Sequence, residues 1–281
     1  MTIRQLDDSS KMNFRIGYDA DKSPCLFKKF KTKRQQAIAE REQVLLCLAE
    51  RLMEEHGFSG LTMDKLVAAC DYSKGTVYNH FSSKEDLLSA LCIKAMQTEL
   101  QLFHKASNFK GNAREKLLAL CFAYRLHALL HPTLFYCVLT SKTPAVAERA
   151  SQERLDTQFV LEQQLAEVCN QLFVLAMEDG DLQGREEAEF AQLSFAAWAM
   201  AFGSTALMLA ASTAQLVQAL EEEKTLMFNM NLMLDGMQWL PLSSEFDYWD
   251  SWQRVGMEVF ADELSTLKEH SKHSGAKGRI T

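Results

Sequence analysis

The sequence predicts an all-α fold, with a small N-terminal three-helix unit followed by a larger helical body. Three observations carry this. Apolar residues recur at helical spacing through most of the chain, only 12 Gly and 4 Pro interrupt 281 residues, and no strand-like alternation competes. A chain of this length divides most naturally into two unequal units.

Residues 1–27 are polar and irregular and read as a disordered segment, with Phe14, Tyr18 and Phe27 as its few apolar side chains. From Gln35 the pattern turns helical. Ile38, Leu45, Leu48, Ala49, Leu52 and Met53 share one face, and His56-Gly57 offers a C-terminal glycine stop. Thr62 then supplies an N-cap hydroxyl to a short second helix with Leu66, Val67 and Cys70 inward and Asp64 near the positive end of its dipole. After Asp71-Tyr72, Ser73 caps a third helix. Val77 and Phe81 anchor its inner face and leave Lys74, Thr76 and Asn79 outward. The run Ser82-Ser83-Lys84-Glu85-Asp86 has capping-box spacing in two registers and opens a long fourth helix reaching about Asn108. Further helices are expected at about 112–130, 132–140, 144–178, 186–212 and 215–235. A last one near 248–268 places Trp249, Trp252, Val255, Val259 and Leu267 on one stripe. The tail 269–281 is basic and reads as flexible.

A formal net charge of −7 argues at first against a nucleic-acid partner, because phosphate binding needs Lys and Arg to displace counterions. The distribution reverses that impression. Residues 28–94 carry 11 Lys and Arg against 9 Asp and Glu, whereas residues 95–281 carry 15 against 24, so the acidity belongs to the body. Seven cysteines (25, 47, 70, 92, 121, 137 and 169) form no C-x-x-C pair and mostly sit in apolar helical patterns, which predicts free thiols and a reducing, cytoplasmic location. Met1 to Ala20 lacks the basic start and apolar run of a secretory signal. Phe190 to Leu220 carries no charge and exceeds the ~20 residues of a membrane span. Yet Gln192, Ser194, Ser204, Thr205, Gln215 and Gln218 interrupt it and both flanks are acidic. It reads as the middle of a bundle or a subunit interface, and no membrane partner is expected.

The third helix has the parts of a major-groove reader. The groove is roughly 12 Å wide and admits a helix whose N-terminal half presents short polar side chains to base edges. Lys74, Thr76 and Asn79 can reach bases, Gly75 permits close backbone approach, and the hydroxyls of Thr62, Ser73 and Tyr78 can donate to phosphates. Lys84 stands at a helix start, where free amides already favour an anion. Lys28, Lys29, Lys31, Lys33 and Arg34 lead into this unit, either as an arm for the adjacent minor groove or as a solvated segment.

The string FSGLTMDKLVAACDYSKGTVYNHFSSKEDLLSAL resembles the DNA-binding module of the tetracycline-repressor (TetR) family, in which G-F-x-x-x-T, S-x-G-T-x-Y-x-H-F and S-K-E-x-L follow in this order. The resemblance covers about 60 residues and is specific. It implies that residues 28–90 form a helix-turn-helix DNA-binding domain and 91–268 a helical regulatory and dimerisation domain. The expected protein is a repressor that grips near-palindromic double-stranded operator DNA as a homodimer, with no cofactor and no catalytic role. By the same resemblance Thr62, Tyr78, His80 and Lys84 serve phosphates, and positions 73 to 79 read bases. Asp71 departs from the family's usual turn glycine, at a position expected to need a left-handed backbone.

Past residue 110 the resemblance is diffuse. The segments at 190–210 and 225–240 look like the paired helices of the family's dimeric bundle, which makes Trp198, Phe202, Met227 and Met230 candidates for the seam or the core behind it. A body of this kind holds a small apolar or amphipathic effector, for which Phe122, Leu126, Phe135, Phe173, Met177 and Met208 are candidate lining or ordinary core. His127 and His131 have the i, i+4 spacing of a metal pair, but Pro132 follows and no further ligand joins them, so capping or burial is the reading and no metal is expected. Two alternatives stay open. A recruiter would capture a protein partner through Trp249 and Trp252, and a helical enzyme would need a motif, none of which is present: no G-x-S-x-G, P-loop or H-E-x-x-H.

Overall fold

The computed structural model describes residues 32–210 and 215–277; the 1–27 segment, Cys25 and the arm lysines Lys28, Lys29 and Lys31 lie outside them. The chain falls into two units, Met1–Glu42 and Gln43–Thr281. In the first, the described residues form the exposed opening turns of α1, including Lys33 and Arg34.

The described residues are helical, with no strand among them. α1 (Lys33–Gly60) bends at Gly57, whose φ of 72° is the left-handed conformation that the His56-Gly57 stop predicts. α2 (Met63–Ala69) and α3 (Lys74–His80) follow, then α4 (Lys84–Ser107). Leu45, Leu46, Ala49 and Met53 of α1 meet Leu66, Val77, Phe81 and Leu87 in a closed core, which fixes the pose of α3. The turn between α2 and α3 corrects one expectation. Asp71 has no positive φ, which among described non-glycine residues occurs only at Gln238, so the turn does not require glycine.

The body is built from α5 (Ala113–Leu130), α6 (Pro132–Ser141), α7 (Pro144–Ala147), α8 (Gln152–Glu178), α9 (Phe190–Leu209), α10 (Gln215–Gln218), α11 (Glu222–Gly236), α12 (Tyr248–Glu258) and α13 (Ala261–Lys277). α5 opens on a full capping box, Asn112 with Glu115, and is buried along most of its length between α4, α8, α9 and α12. The expected 144–178 helix is broken at 148–151, the 215–235 helix at 219–221 and the 248–268 helix at 259–260. α13 also continues to Lys277, into the segment assigned to a flexible tail: no proline stands there and the first glycine is Gly275.

A buried arginine fastens the C-terminal part. Arg114 on α5 is fully buried and donates to the Pro241 carbonyl at 3.0 Å, Asn231 Oδ1 at 3.0 Å and Asp235 Oδ1 at 2.7 Å, with the Tyr248 ring 4.5 Å from its guanidinium. Trp252 is buried against Phe122, and Trp249, Val259 and Leu267 pack on the same core. Trp252 is therefore spent inside the molecule, while Trp249 stays partly exposed. One helical stretch, Glu187–Leu209, is long and apolar enough to cross a membrane by length and composition. Here its Phe190, Leu193, Ala197 and Ala201 are buried against the protein core.

Candidate nucleic-acid interface and effector cavity

Local capping holds the reader. Thr62 accepts from the Lys65 amide at 3.2 Å, Ser73 from the Thr76 amide at 3.2 Å, and Ser83 from the Asp86 amide at 3.0 Å, which settles the α4 capping register on Ser83. Val77 and Phe81 are fully buried, and the opposite face of α3 presents Lys74, Gly75, Tyr78 and Asn79 to solvent, with Thr76 and His80 half-buried. A Cβ on Gly75 would meet nothing nearer than Ser73 Oγ at 4.0 Å. Nothing inside the chain demands glycine there, which fits a surface approached from outside.

Two of the expected contacts are engaged within the chain. The Lys74 ammonium pairs with Asp64 Oδ1 at 3.0 Å and lies 5.6 Å from the Tyr78 ring centroid; the Asp64 hydrogen bond and charge hold its pKa above the ordinary lysine range. Both partners are exposed, so a phosphate or base can displace Asp64 cheaply. Lys84 donates to the Phe58 carbonyl at 3.3 Å and rests near the Phe58 ring. Asp64 and Phe58 as internal partners escaped the sequence reading, because neither spacing is local.

The end of α3 is gripped from the body. Asp86 is 4% exposed; its carboxylate accepts from the Ser82 and Ser151 amides, both at 3.1 Å, and faces Arg154 Nε at 3.2 Å. Arg154 also donates to the His80 carbonyl at 3.0 Å and covers the Phe81 ring. One side chain from the first turn of α8 thus ties the C-terminus of α3 to the start of α4. Four residues on, Gln158 donates to Ser89 Oγ at 2.7 Å and continues the contact.

Farther along α8 lies a cavity of about 550 Å³ between α4, α5, α8 and α9, a volume suited to a small organic ligand. Its walls are mainly apolar, with Met96, Phe103, Leu120, Leu165 and Trp198 among them, and the Tyr124 hydroxyl accepts from Trp198 Nε1 at 3.3 Å. Glu99 enters this lining, and burial pushes its carboxyl up to about 8. None of Phe122, Leu126, Phe135, Phe173, Met177 and Met208 is among the lining residues; the first four are buried core, with Phe122 against Trp252, Phe135 against Phe202 and Phe173 against Phe190 and Trp239. A signal for this cavity's lining was present: Met96, Glu99 and Phe103 stand at i, i+3 and i+7, which sets a carboxylate within an apolar stripe.

The seam candidates divide. Met227 and Met230 are buried on the inner side of α11, Phe202 is half-buried and stacked on Phe135 at 5.4 Å, and Trp198 is 43% exposed and also borders the cavity. Phe195 and Leu207 on α9 with Phe228 and Leu232 on α11 are each more than half exposed, and Phe195 also borders the cavity. His127 is fully buried beside His131, ring centroids 5.7 Å apart; burial and His131 push its pKa down to about 3, so it is neutral. No group of three or more His, Cys, Asp or Glu among the described residues is arranged to hold a metal.

The architecture is that of an all-helical protein with a capped, outward-facing helix-turn-helix at its head. Residues 45–91 match the model of bacterial regulatory proteins of the tetR family. It is 31% identical over 130 residues to an uncharacterized HTH-type transcriptional regulator of Mycobacterium tuberculosis, covering 44% of this chain and 62% of the relative, so the match spans about three fifths of that protein's length. Among solved structures it is similar to the TetR family transcriptional regulator PfmR from Thermus thermophilus (TM-score 0.50, 19% identity, 68% of this chain and 97% of that one). It is also similar to a protein of unknown function from Rhodococcus sp. RHA1 (TM-score 0.56, 20% identity, 69% and 94%). At these identities the structural likeness concerns the fold.

Proposed function

We propose that the protein is a DNA-binding transcriptional regulator, a repressor that holds a near-palindromic operator as a homodimer and releases it when a small molecule enters the cavity. The observation that carries this reading is the outer face of α3: Lys74, Gly75, Tyr78 and Asn79 stand exposed on a helix capped at Ser73 and anchored by Val77 and Phe81, inside the family-matched segment. Lys74, Thr76 and Asn79 are its base readers, Thr62, Ser73, Tyr78, His80 and Lys84 its phosphate contacts, and Lys33 and Arg34 part of a basic arm.

For the dimer, the outward stripe Phe195, Ala199, Gly203 and Leu207 on α9 beside Phe228 and Leu232 on α11 is an apolar face fit for a second copy, with small residues where helices would cross. An isologous pair would set two readers about 34 to 36 Å apart, one turn of DNA. For release, α8 connects the two ends: Glu162, Leu165 and Cys169 line the cavity, and Arg154 grips α3 and α4. An effector that favours a shifted α8 would move the reader, and a coupling of about 1 to 3 kcal/mol changes operator affinity roughly 5- to 150-fold.

Selection of bound genomic fragments, followed by a salt titration on the best site, tests this with Tyr78→Ala and Lys84→Ala as controls. A near-palindromic site with steep salt dependence, weakened by both changes, is the expected result. No preferred site, or binding indifferent to both, removes the reading.

A further inference from the structure

Among the described residues, the buried carboxylates are, with one exception, satisfied by the chain itself. Asp86 receives two backbone amides and Arg154, and Glu115 closes the α5 capping box and accepts from Ser251 Oγ at 2.7 Å. Glu99 differs. It is 7% exposed, lines the 550 Å³ cavity, and makes no hydrogen bond or ion pair with any described residue. A carboxyl held in an apolar wall without a partner carries a desolvation cost that a ligand can relieve.

The other charges on the cavity are already matched. Lys142 and Glu162, each about two-fifths exposed at the solvent-facing rim, pair with one another, so the cation that would welcome an anionic ligand is neutralised. With Glu99 ionised the wall is one negative charge in excess. Resting on the reading of this cavity as the effector site, we propose that it takes a lipophilic amine in its protonated form, with Glu99 as the counter-charge and Met96, Phe103, Leu120 and Trp198 around the apolar body.

The proton balance is explicit. The carboxyl is protonated at neutral pH because burial raises it to about 8. A bound ammonium keeps its own proton, Glu99 ionises beside it, and the carboxyl proton leaves to solvent. The titratable groups around Glu99 are Cys92 on its own helix, Cys121 and Tyr124 on α5, Lys142 after α6, and Glu162 and Cys169 on α8. Burial pushes the three thiols and the phenol upward and the Lys142 ammonium, paired with Glu162, downward, and Glu99 is the group that burial brings into the window between pH 6 and 8. Since only the ionised fraction is competent, amine affinity rises about tenfold from pH 6 to 7 and about fivefold from 7 to 8, then levels.

Calorimetric titration of the full chain with three probes on one skeleton, 4-phenylbenzylamine, 4-phenylbenzyl alcohol and 4-phenylbenzoate, at pH 6, 7 and 8 in two buffers of different ionisation enthalpy tests the assignment. The expected result is that the amine binds tightest, with that pH profile and release of close to one proton at pH 7. Glu99→Gln should remove the pH profile and the amine preference, with the alcohol reporting that the cavity is folded. Equal affinity for amine and alcohol, or preference for the benzoate, overturns the amine assignment while leaving an effector cavity in place. Failure of all three probes to bind removes the cavity reading and this assignment with it.

Discussion

Replacing Arg154 with Met tests whether the grip of α8 on the reader is energetically real. The change keeps much of the side-chain volume and removes the cation. The pair it breaks is largely dry, with the Arg154 side chain 15% and Asp86 6% exposed. Removing one partner from a buried pair costs about 3 to 5 kcal/mol, because the other charge is left without compensation. Asp86 keeps the Ser82 and Ser151 amides, which moderates the loss toward about 3 kcal/mol. For a domain of this size that lowers Tm by about 6 to 12 °C. Calorimetry and urea melts of Arg154→Met, Asp86→Asn and the double variant measure it, with hydrogen exchange at the α3 amides as the local readout. The double variant should lose much less than the sum of the singles, and α3 should exchange faster in Arg154→Met while α5 does not. A loss below about 1 kcal/mol, or additive single changes, would show that the contact positions nothing.

Other perturbations reach the remaining parts of the structure. His127 is neutral when folded, with its pKa near 3 against 6.5 for an ordinary histidine, so the unfolded chain binds the extra proton and stability falls as pH drops through that window, by about 1.4 kcal/mol per unit. His127→Leu should flatten this part of the profile in urea melts between pH 4 and 6.5; an unchanged slope would contradict its burial as a neutral ring. Glu99 has the opposite sign: protonated in the fold up to about 8, against 4.5 ordinarily, it makes stability fall as pH rises between those values, and Glu99→Gln should lift the alkaline side of the curve. Ser73→Ala deletes the α3 cap and should cost about 1 kcal/mol, seen as faster exchange at the Thr76 amide and weaker operator binding. Phe228→Glu should convert the proposed dimer to monomer in sedimentation equilibrium with the helical spectrum retained; a persistent dimer would move the interface elsewhere.

The helix-turn-helix was legible because its determinants are local. Thr62, Ser73 and Ser83 each cap the helix that follows by accepting from the amide three residues on, and Val77 and Phe81 are one turn apart, so periodicity and hydrogen-bonding chemistry along the chain suffice to draw α2, α3 and the start of α4. The breaks at 148–151, 219–221 and 259–260 were not legible, since no proline or glycine marks them and packing decides them. Sequence separation explains the other departures as well. Arg154 meets Asp86 across 68 positions and Arg114 meets Asp235 across 121, and periodicity carries no record of such partners. Met227 and Met230, candidates for a seam or the core behind it, and Phe122, Leu126, Phe135 and Phe173, candidates for a pocket lining or ordinary core, are apolar residues at helical spacing, a pattern that says a face is covered but not by what. The sequence by itself determined that the chain is helical, where its reader lies and which side chains that reader shows to solvent. Only the tertiary structure decided which apolar faces close on one another and which leave a cavity, because that depends on how helices far apart in the chain pack, and so only there does Glu99 change from one more polar residue on α4 into a buried carboxyl without a partner.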